Sequence, residues 1–591
     1  MSSLVEAPAP TRLDRARAWR DGGRPEAALA ELRRAVAEHP DWAEAHHHLG
    51  NLLKSQGGFR EAAESLELAV RLAPQQAAIW LNFGVACLEL GRIRQAEDCF
   101  RQALAREPHR PEACNILGHA LLLQGRCGEA IEQLEQALAL KPGYAPAHDN
   151  LGRVLKAQGR AAEALRHHRI ALEAQPRSST HSNFLYTLNL IAGLDPAEVA
   201  AEHRRWAGLY AEPATTPSAL HDFTPARPLR IGYVSPDFVR HAVAYFFEPA
   251  LARHDPGQFE VFCYSDAPVP DAVTERLRRQ ADGWCASALM SDAQLEAQIR
   301  RDRIDILVDL AGHTARNRLA VFARRPAPVQ VTWLGYPNTT GLEAIDYRLT
   351  EAVSDPPGQT EAWHSEKLYR LPEVFSCYRA PAECPAVSPL PALAAGHVTF
   401  GCFNNFAKVA DSTLEHWARL LRAVPHSRLL LKSRGLSDPA TVARVHAHFA
   451  AAGVGADRIE CNGVELSVPA HLALYHRVDI ALDTFPYNGT TTTCEALWMG
   501  VPVVTLAGRT HASRVGASLL THLGWLEGIA ADKTEYGARA QRLAADLPGL
   551  ARLRQGLRER MRRSPVCDEP RFVHHLEDAF RQMWIERCQR G

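Results

Sequence analysis

Residues 43–76, AEAHHHLGNLLKSQGGFREAAESLELAVRLAPQQ, contain two helical stretches with a glycine pair between them. The spacing of apolar residues predicts a first helix over Ala43–Gln56 and a second over Glu61–Leu72. The glycine pair permits a tight turn between the two helices. Pro74 ends the second helix because proline cannot continue the helical hydrogen bonds.

The same pattern recurs with a step of 34 residues on both sides of this stretch. The recurring positions are Gly23, Gly57, Gly91, Gly125 and Gly159; Ala28, Ala62, Ala96, Ala130 and Ala164; Ala35, Ala69, Ala103, Ala137 and Ala171; Pro40, Pro74, Pro108, Pro142 and Pro176; and Gly50, Gly84, Gly118 and Gly152. A helix-turn-helix unit of this period is typical of the tetratricopeptide repeat. We therefore expect an α-solenoid over 1–180, with about four full repeats (43–178) after a partial one (about 9–42) and a concave groove that binds protein segments.

The periodicity changes after the repeats. Ser182–Tyr210 is predicted to be helical, and Pro213–Pro228 is rich in proline, threonine and alanine, as linkers are, so residues 181–225 are expected to form a connector. Short β-rich runs separated by helical stretches follow, and they predict two parallel sheets with helices on both faces. The expected strands are Leu229–Ser235, Phe259–Ser265, Ile304–Leu310 and Val329–Leu334 in a first half (226–380), and Val398–Phe403, Arg428–Lys432, Asp479–Asp483 and Val501–Leu506 in a second half (396–591), which ends in a helix over Pro570–Gln589. Two Rossmann-like halves bind ligands at the carboxyl ends of their strands.

Composition excludes several classes of protein. The 591 residues carry 67 basic and 67 acidic side chains, so there is no basic excess of the kind that nucleic-acid binding requires. No apolar stretch reaches about 18 residues, which disfavours a membrane span. The N-terminus lacks the pattern of a secretion signal, and the 13 cysteines include no Cys-x-x-Cys pair. We expect reduced thiols and a cytoplasmic location.

The strongest chemical motif is residues 482–495, LDTFPYNGTTTTCE. A buried strand ends at Asp483, a glycine-containing loop follows, and a helix begins among the threonines. The start of a helix binds anions through its free N–H groups and its dipole, so a nucleotide diphosphate fits here, and Glu495 is placed to accept hydrogen bonds from a ribose. A capping box formed by Thr492 and Glu495 is the structural alternative.

Two further motifs follow the first strand of each half. FGCFNNFAK (400–408) places Asn405 beside Lys408, whose positive charge suits a leaving diphosphate. IGYVSPDFVRH (231–241) offers His241 as a general base, because imidazole titrates near neutrality, with Asp237 as the rival.

Polar loop residues after other strands of the first half are candidates for a sugar pocket. They are His313, Thr340 and Gly341. An Asp-x-Asp metal clamp is absent from the sequence, so we expect no metal requirement: Lys408 and the helix start would neutralise the diphosphate.

Together these motifs resemble the O-linked N-acetylglucosamine transferase family, including its plant SPINDLY branch. The resemblance implies a GT-B glycosyltransferase fold and inverting transfer of N-acetylglucosamine from UDP-GlcNAc to serine or threonine hydroxyls of protein acceptors, which bind along the repeat groove and the cleft. It implies His241 as the base. The donor-binding residues that it implies are Asn405, Lys408, His471, Thr490, Thr491, Thr492 and Glu495, with Leu466 and Val468 in the loop that contacts the nucleotide base.

The chain also departs from the animal members of that family. Residues 380–395 leave no room for the large domain that animal members carry between the halves, and the repeat array is shorter. Thr490 stands where animal members have histidine, and the 485–495 stretch is closer to the SPINDLY pattern, which is associated with GDP-fucose. Protein O-fucosyl transfer, a scaffold with a non-catalytic nucleotide-sugar site, and a transferase acting on small molecules or glycans remain the alternatives.

Overall fold

The computed structural model describes residues 9–212 and 221–590, and the side chains from Arg12 onward. These residues form two compact units, 1–151 and 152–591. Positions 213–220 of the predicted linker, which spans 213–228, lie outside the described residues. None of the helices in the described ranges is long and apolar enough to cross a membrane.

The first third of the chain is a series of paired helices, as the repeat predicts. Their bounds are Ala9–Asp21, Pro25–Glu38, Ala43–Ser55, Phe59–Leu72, Ala77–Glu89, Ile93–Arg106, Pro111–Leu123, Cys127–Leu140, Ala145–Ala157 and Ala161–Ala174. The stretch expected to be a partial repeat forms a helix pair like the others. The boundary between the compact units falls inside the ninth helix, earlier than the domain end at 180 that we expected from the sequence.

The two glycine registers of the repeat have different physical roles. Gly57 and its equivalents adopt positive φ at the turn between paired helices, where only glycine is unstrained. Gly50, Gly84 and Gly118 instead lie inside helices, and a Cβ atom at each would collide with a large side chain of the paired helix. These side chains are Leu66, Phe100 and Leu134. The second register therefore permits the close helix packing that defines the unit.

The segment 182–210, expected to be helical, forms two helices, Ser178–Leu188 and Pro196–Tyr210. Asp195 caps the second of these helices by accepting a hydrogen bond from the backbone N–H of Ala197.

A seven-stranded sheet follows. Its strands are β1 (Leu229–Ser235), β2 (Phe259–Ser265), β3 (Gly283–Ala286), β4 (Ile306–Asp309), β5 (Val329–Thr332), β6 (Tyr347–Glu351) and β7 (Lys367–Leu371). Their spatial order is β3-β2-β1-β4-β5-β6-β7 with parallel pairing. The accompanying helices are Ala244–Leu251, Ala272–Arg278, Asp292–Arg301 and Leu319–Ala323.

The second sheet has six strands. They are β8 (Thr399–Cys402), β9 (Arg428–Lys432), β10 (Ile459–Asn462), β11 (Ile480–Leu482), β12 (Val503–Leu506) and β13 (Ile529–Ala530), in the order β10-β9-β8-β11-β12-β13, again parallel. Its α-helices are Ala392–Ala395, Asp411–Ala423, Pro439–Ala451, Val468–Ala473, Thr491–Trp498, Val515–His522, Lys533–Ala545 and Leu547–Arg562. The last helix of the chain, Glu569–Gln589, packs instead against the first half, where it contacts the helix Ala244–Leu251, β5 and β7.

Both sheets have the doubly wound order in which strand order reverses beside the first strand. The switch points lie between β1 and β4 and between β8 and β11. The His241 motif follows β1, the Lys408 motif follows β8, and the threonine motif follows β11. The structure therefore confirms the predicted fold class, a helical repeat array followed by two Rossmann-like halves.

Candidate functional site

The loop after β11 is folded around the buried carboxylate of Asp483. Its Oδ1 accepts hydrogen bonds from the backbone N–H of Gly489 at 2.7 Å and from the amide of Asn404 at 3.1 Å, and its Oδ2 accepts one from Thr505. Burial raises the pKa of Asp483 to about 6, although these donors and Lys408 oppose the shift. Asp483 thus holds the threonine loop against the loop that carries Lys408.

The helix Thr491–Trp498 begins where the motif predicts. The capping-box alternative is not what the structure shows, since no side chain caps this helix among the described residues. Thr492 Oγ1 donates to Asn404 Oδ1 instead, and Glu495 Oε2 lies 3.0 Å from Nε2 of His471. The first turn, with Thr490 and Thr491 half-buried beside it, is therefore left open toward the cleft.

Lys408 lies between the two loops of the second half. Its Nζ donates to the carbonyl of Asn488 at 2.8 Å and lies 3.9 Å from the ring centroid of Tyr487. Burial lowers the pKa of Lys408 to about 8, against the attraction of Asp483. Neighbouring Asn405 is exposed, and its Oδ1 caps the turn by accepting from the backbone N–H of Ala407. A cation in this position attracts a phosphate more strongly than a fully solvated one does.

His241 reaches the same cleft from the other half. Its side chain is 47% exposed, and its Nδ1 is 3.5 Å from Oδ2 of Asp237, which is mostly buried. Burial raises the pKa of Asp237, and His241 opposes that rise. The histidine, unlike the aspartate, is part of the cavity wall.

A cavity of about 290 Å³ joins these elements. The second half contributes Asn405, Lys408 and the three threonines at 490–492, and the first half contributes His241, Thr314 and the Leu334–Pro337 turn. The carboxyl ends of β1, β8 and β11 thus meet at one cavity, which has the position that doubly wound folds use for ligands.

The structure places the three predicted sugar-pocket residues elsewhere. Both ring nitrogens of His313 are engaged inside the protein, Nδ1 with Ser182 at 3.0 Å and Nε2 with the carbonyl of Thr340 at 2.8 Å. Thr340 is fully buried and bonds Glu366, and Gly341 packs against the backbone of His203 with φ of 81°. Nearby Thr314, Gly335 and Pro337 line the cavity in their place.

The remaining candidate residues lie on or next to one short helix of the second half. Leu466 and Val468 are half-buried at the start of the helix Val468–Ala473, and His471 on that helix packs its ring 5.8 Å from Phe403. His471 and Glu495 therefore form one polar pair.

Sequence reasoning missed Lys432, the last residue of β9. This lysine is half-buried; burial lowers its pKa while Glu495 and Glu465 oppose the shift. Its position at the carboxyl end of a strand next to β8 is the signal that would have found it. Within the described ranges, no group of three or more histidine, cysteine, aspartate or glutamate side chains is arranged to hold a metal ion.

The repeat array and the two-half cleft define a class: an α/β protein of the nucleotide-binding type, attached to tetratricopeptide repeats. The model of glycosyl transferase family 41 matches residues 209–378 and 390–576, and tetratricopeptide-repeat models match 13–77, 47–93, 88–145 and 145–169. The chain belongs to glycosyl transferase family 41.

Individual relatives agree with the family match. The chain is 43% identical over 69% of its length to a tomato (Solanum lycopersicum) protein described as a probable UDP-N-acetylglucosamine–peptide N-acetylglucosaminyltransferase SPINDLY, and 33% identical over 61% to the Arabidopsis thaliana protein of that description named SEC. It spans 44% and 37% of those proteins. A solved structure of a Thermobaculum terrenum O-GlcNAc transferase mutant is 40% identical, covers 87% of this chain and 98% of its own, and superposes with a TM-score of 0.83.

Proposed function

We propose that this protein transfers a sugar from a nucleotide donor to serine or threonine hydroxyls of other proteins. One observation carries the proposal: a half-buried lysine, an open helix start and a histidine from the opposite half border a single cavity. This arrangement provides an anion site for a diphosphate on one side and a group able to accept a proton on the other.

The proposed chemistry is a single displacement with inversion. The acceptor oxygen bonds to the anomeric carbon while the bond from that carbon to the diphosphate oxygen breaks, and the hydroxyl proton passes to His241. Lys408 and the helix start at Thr491 stabilise the negative charge that develops on the leaving diphosphate. This accounts for transfer without a metal ion, which we also propose.

For the donor we propose UDP-N-acetylglucosamine. Support comes from the plant relatives, which are described as probable UDP-N-acetylglucosamine–peptide N-acetylglucosaminyltransferases, and from the similar Thermobaculum O-GlcNAc transferase. GDP-fucose is the alternative, because Thr490 and its neighbours follow the SPINDLY pattern. We propose the repeat array as the acceptor-binding part, since such arrays present a continuous groove to peptide segments.

The test is a transfer assay with UDP-GlcNAc and GDP-fucose in parallel, with EDTA present and modified residues located by mass spectrometry. We expect a gain of one N-acetylhexosamine on serine or threonine, and a loss of about a hundredfold or more in kcat/KM for Lys408→Ala. Lys533→Ala is the matched control, because Lys533 is exposed and lies over Phe485, outside the cavity. If Lys408→Ala kept the turnover of the unmodified protein, the assignment of Lys408 to the diphosphate site would be refuted.

A further inference from the structure

A second histidine, His511, borders the same cavity and is paired with a buried aspartate from the opposite half. Its Nδ1 lies 2.7 Å from Oδ2 of Asp355, whose side chain is fully buried. Asp355 also accepts a hydrogen bond from Thr350 and lies 3.5 Å from Nε2 of His364. This pair is closer and more deeply buried than His241 with Asp237.

The backbone ties His511 to the proposed diphosphate site. Asn488 accepts from Lys408 through its carbonyl and donates its N–H to the carbonyl of Ala512 at 2.9 Å. A capping box between Thr510 and Ser513 fixes the short turn that carries His511, and the ring of Phe375 packs edge-on against the imidazole at 5.0 Å. The imidazole therefore has a fixed position at the cavity wall. Its sequence neighbour Ala512 is bonded to Asn488, the residue that accepts from Lys408.

The surroundings of His511 determine which nitrogen carries the proton. Burial by itself would raise the pKa of Asp355, but His511 and His364 hold it well below the usual range, so the carboxylate is ionised. Burial lowers the pKa of His511 below its ordinary value, although Asp355 opposes that shift, and this direction favours the neutral ring. The carboxylate needs a donor, which assigns the single ring proton to Nδ1. In the described part of the chain, Nε2 has no hydrogen-bond partner.

We propose that Nε2 of His511 accepts a hydrogen bond from a hydroxyl of the transferred sugar, and that Asp355 is the residue that orients it. The inference rests on the proposed function, because it assigns a ligand group to the same cavity. The sugar is the group that follows the diphosphate, and His511 lines the same cavity as Lys408 and the threonines.

A neutral imidazole held in this way accepts a hydrogen bond and does not donate one. It therefore favours a sugar that presents an O–H at this point over one that presents only hydrogen or fluorine there. Sites built to bond a hydroxyl reject analogues that lack it, because the polar group of the protein is left unpaired. His511 would thus determine sugar specificity and would not serve as the base.

The experiment compares kcat/KM for donor hydrolysis by the full-length protein, using the parent nucleotide sugar and its 3-, 4- and 6-deoxy analogues. For the unmodified protein we expect one analogue to fall about tenfold or more below the parent. For His511→Phe we expect kcat/KM with the parent nucleotide sugar to fall to the value that the unmodified protein shows with that analogue. We expect kcat/KM with the analogue itself to be unchanged, because a direct contact that is already lost cannot be lost again. His511→Gln, which restores an acceptor oxygen, should recover part of the discrimination.

UDP titration keeps this test separate from the proposed function. His511→Phe should bind UDP within about threefold of the unmodified protein. His522→Phe, whose imidazole bonds the Ser518 carbonyl, should change neither readout. The inference would be overturned if the ratio of kcat/KM for the parent sugar to kcat/KM for the analogue were the same in the unmodified and His511→Phe proteins. Loss of UDP binding in the variant would also overturn it. Failure of the unmodified protein to bind UDP and to transfer sugar from either donor would instead refute the proposed function.

Discussion

At the residue scale, the proposed function depends on charged groups whose pKa is shifted by burial. Lys408 and Asp483 both lie where parallel strands end, and burial shifts each toward its neutral form: the lysine to a pKa of about 8 and the aspartate to about 6. Perturbed groups that converge on a cavity are typical of functional sites. The affinity for a negatively charged ligand would therefore depend on the protonation state of Lys408.

The Lys408 shift predicts a pH dependence for UDP binding. Because burial lowers the pKa of the free lysine, its ammonium form is complete below about pH 7 and is lost as the pH rises through about 8. A diphosphate binds the ammonium form, so we expect the Kd for UDP to be constant near pH 7 and to rise by up to about tenfold per unit above pH 8. Calorimetry at about pH 7, 8 and 9 measures this dependence. A Kd unchanged at about pH 9 would show that Lys408 is not the responding charge.

The two candidate bases are separated by a pair of substitutions. We expect His241→Ala to lower kcat about a hundredfold while leaving the Kd for UDP unchanged, since the histidine borders the cavity opposite Lys408. Asp237→Asn should have a smaller effect, because this aspartate lies behind the histidine. Single-turnover transfer measures both. Unchanged kcat in His241→Ala would move the role to Asp237 or to a phosphate oxygen of the donor.

At the scale of elements, a turn of the repeat array contacts the turn that carries Lys408. Gly159, with φ of +77°, lies so that a Cβ atom there would be 2.5 Å from the carbonyl of Val409 and 3.2 Å from that of Phe406. Arg444 donates to the carbonyl of the adjacent Gln158 as well. The turn at residues 158–159 therefore belongs to the unit that holds the proposed donor site.

This contact predicts that Gly159→Ala weakens UDP binding about tenfold by displacing the Phe406–Lys408 turn. Gly23→Ala is the matched control, because Gly23 occupies the same repeat position with φ of +70° but has no atom within 4 Å of a Cβ. Both substitutions introduce the same backbone strain, about 1–2 kcal/mol. UDP titration of the two variants separates the contact from the strain; equal Kd values would contradict the prediction.

Elements were predictable from the sequence where their pattern is strong and local. β1, β2 and β9 have the bounds that their apolar runs predict, and the paired helices follow from the 34-residue repeat. The missed strands are β3, β6, β7, β10 and β13. Several of these lie at or near sheet edges, and β13 has only two residues, so their sequences lack a long apolar run.

The candidate site likewise has parts that the sequence predicts and parts that it does not. The motifs at 400–408 and 482–495 were visible because each is a contiguous segment following a strand. The pairing of His511 with Asp355 joins residues far apart in the sequence, and nothing local indicates it. His313 illustrates the converse: the sequence shows only a polar loop residue after a strand, and its buried partners, Ser182 and the Thr340 carbonyl, are seen only in the structure.

At the scale of the whole molecule, the chain separates into two compact units within the ninth helix. Removing residues 1–144 leaves that helix whole and keeps the contacts of the 158–159 turn. We expect this truncation to bind UDP and hydrolyse the donor within about threefold of the full chain, and to lose at least about tenfold in transfer to protein acceptors.

A longer truncation provides the comparison. Removing residues 1–178 also deletes Gly159 and Gln158, so it should weaken UDP binding as well as protein transfer. Parallel assays of donor hydrolysis and protein modification measure both. If the shorter truncation modified proteins as well as the full chain does, the array would not be the acceptor-binding part.

The most direct test of the account is calorimetric titration of the full-length protein with UDP and GDP in parallel, in the presence of EDTA, alongside Lys408→Ala. We predict that UDP binds in preference to GDP without metal, and that the Lys408→Ala variant binds it about a hundredfold more weakly. Preference for GDP would transfer the proposed donor to GDP-fucose. Binding of neither nucleotide by the unmodified protein would contradict the central claim that this cavity is a nucleotide-diphosphate site.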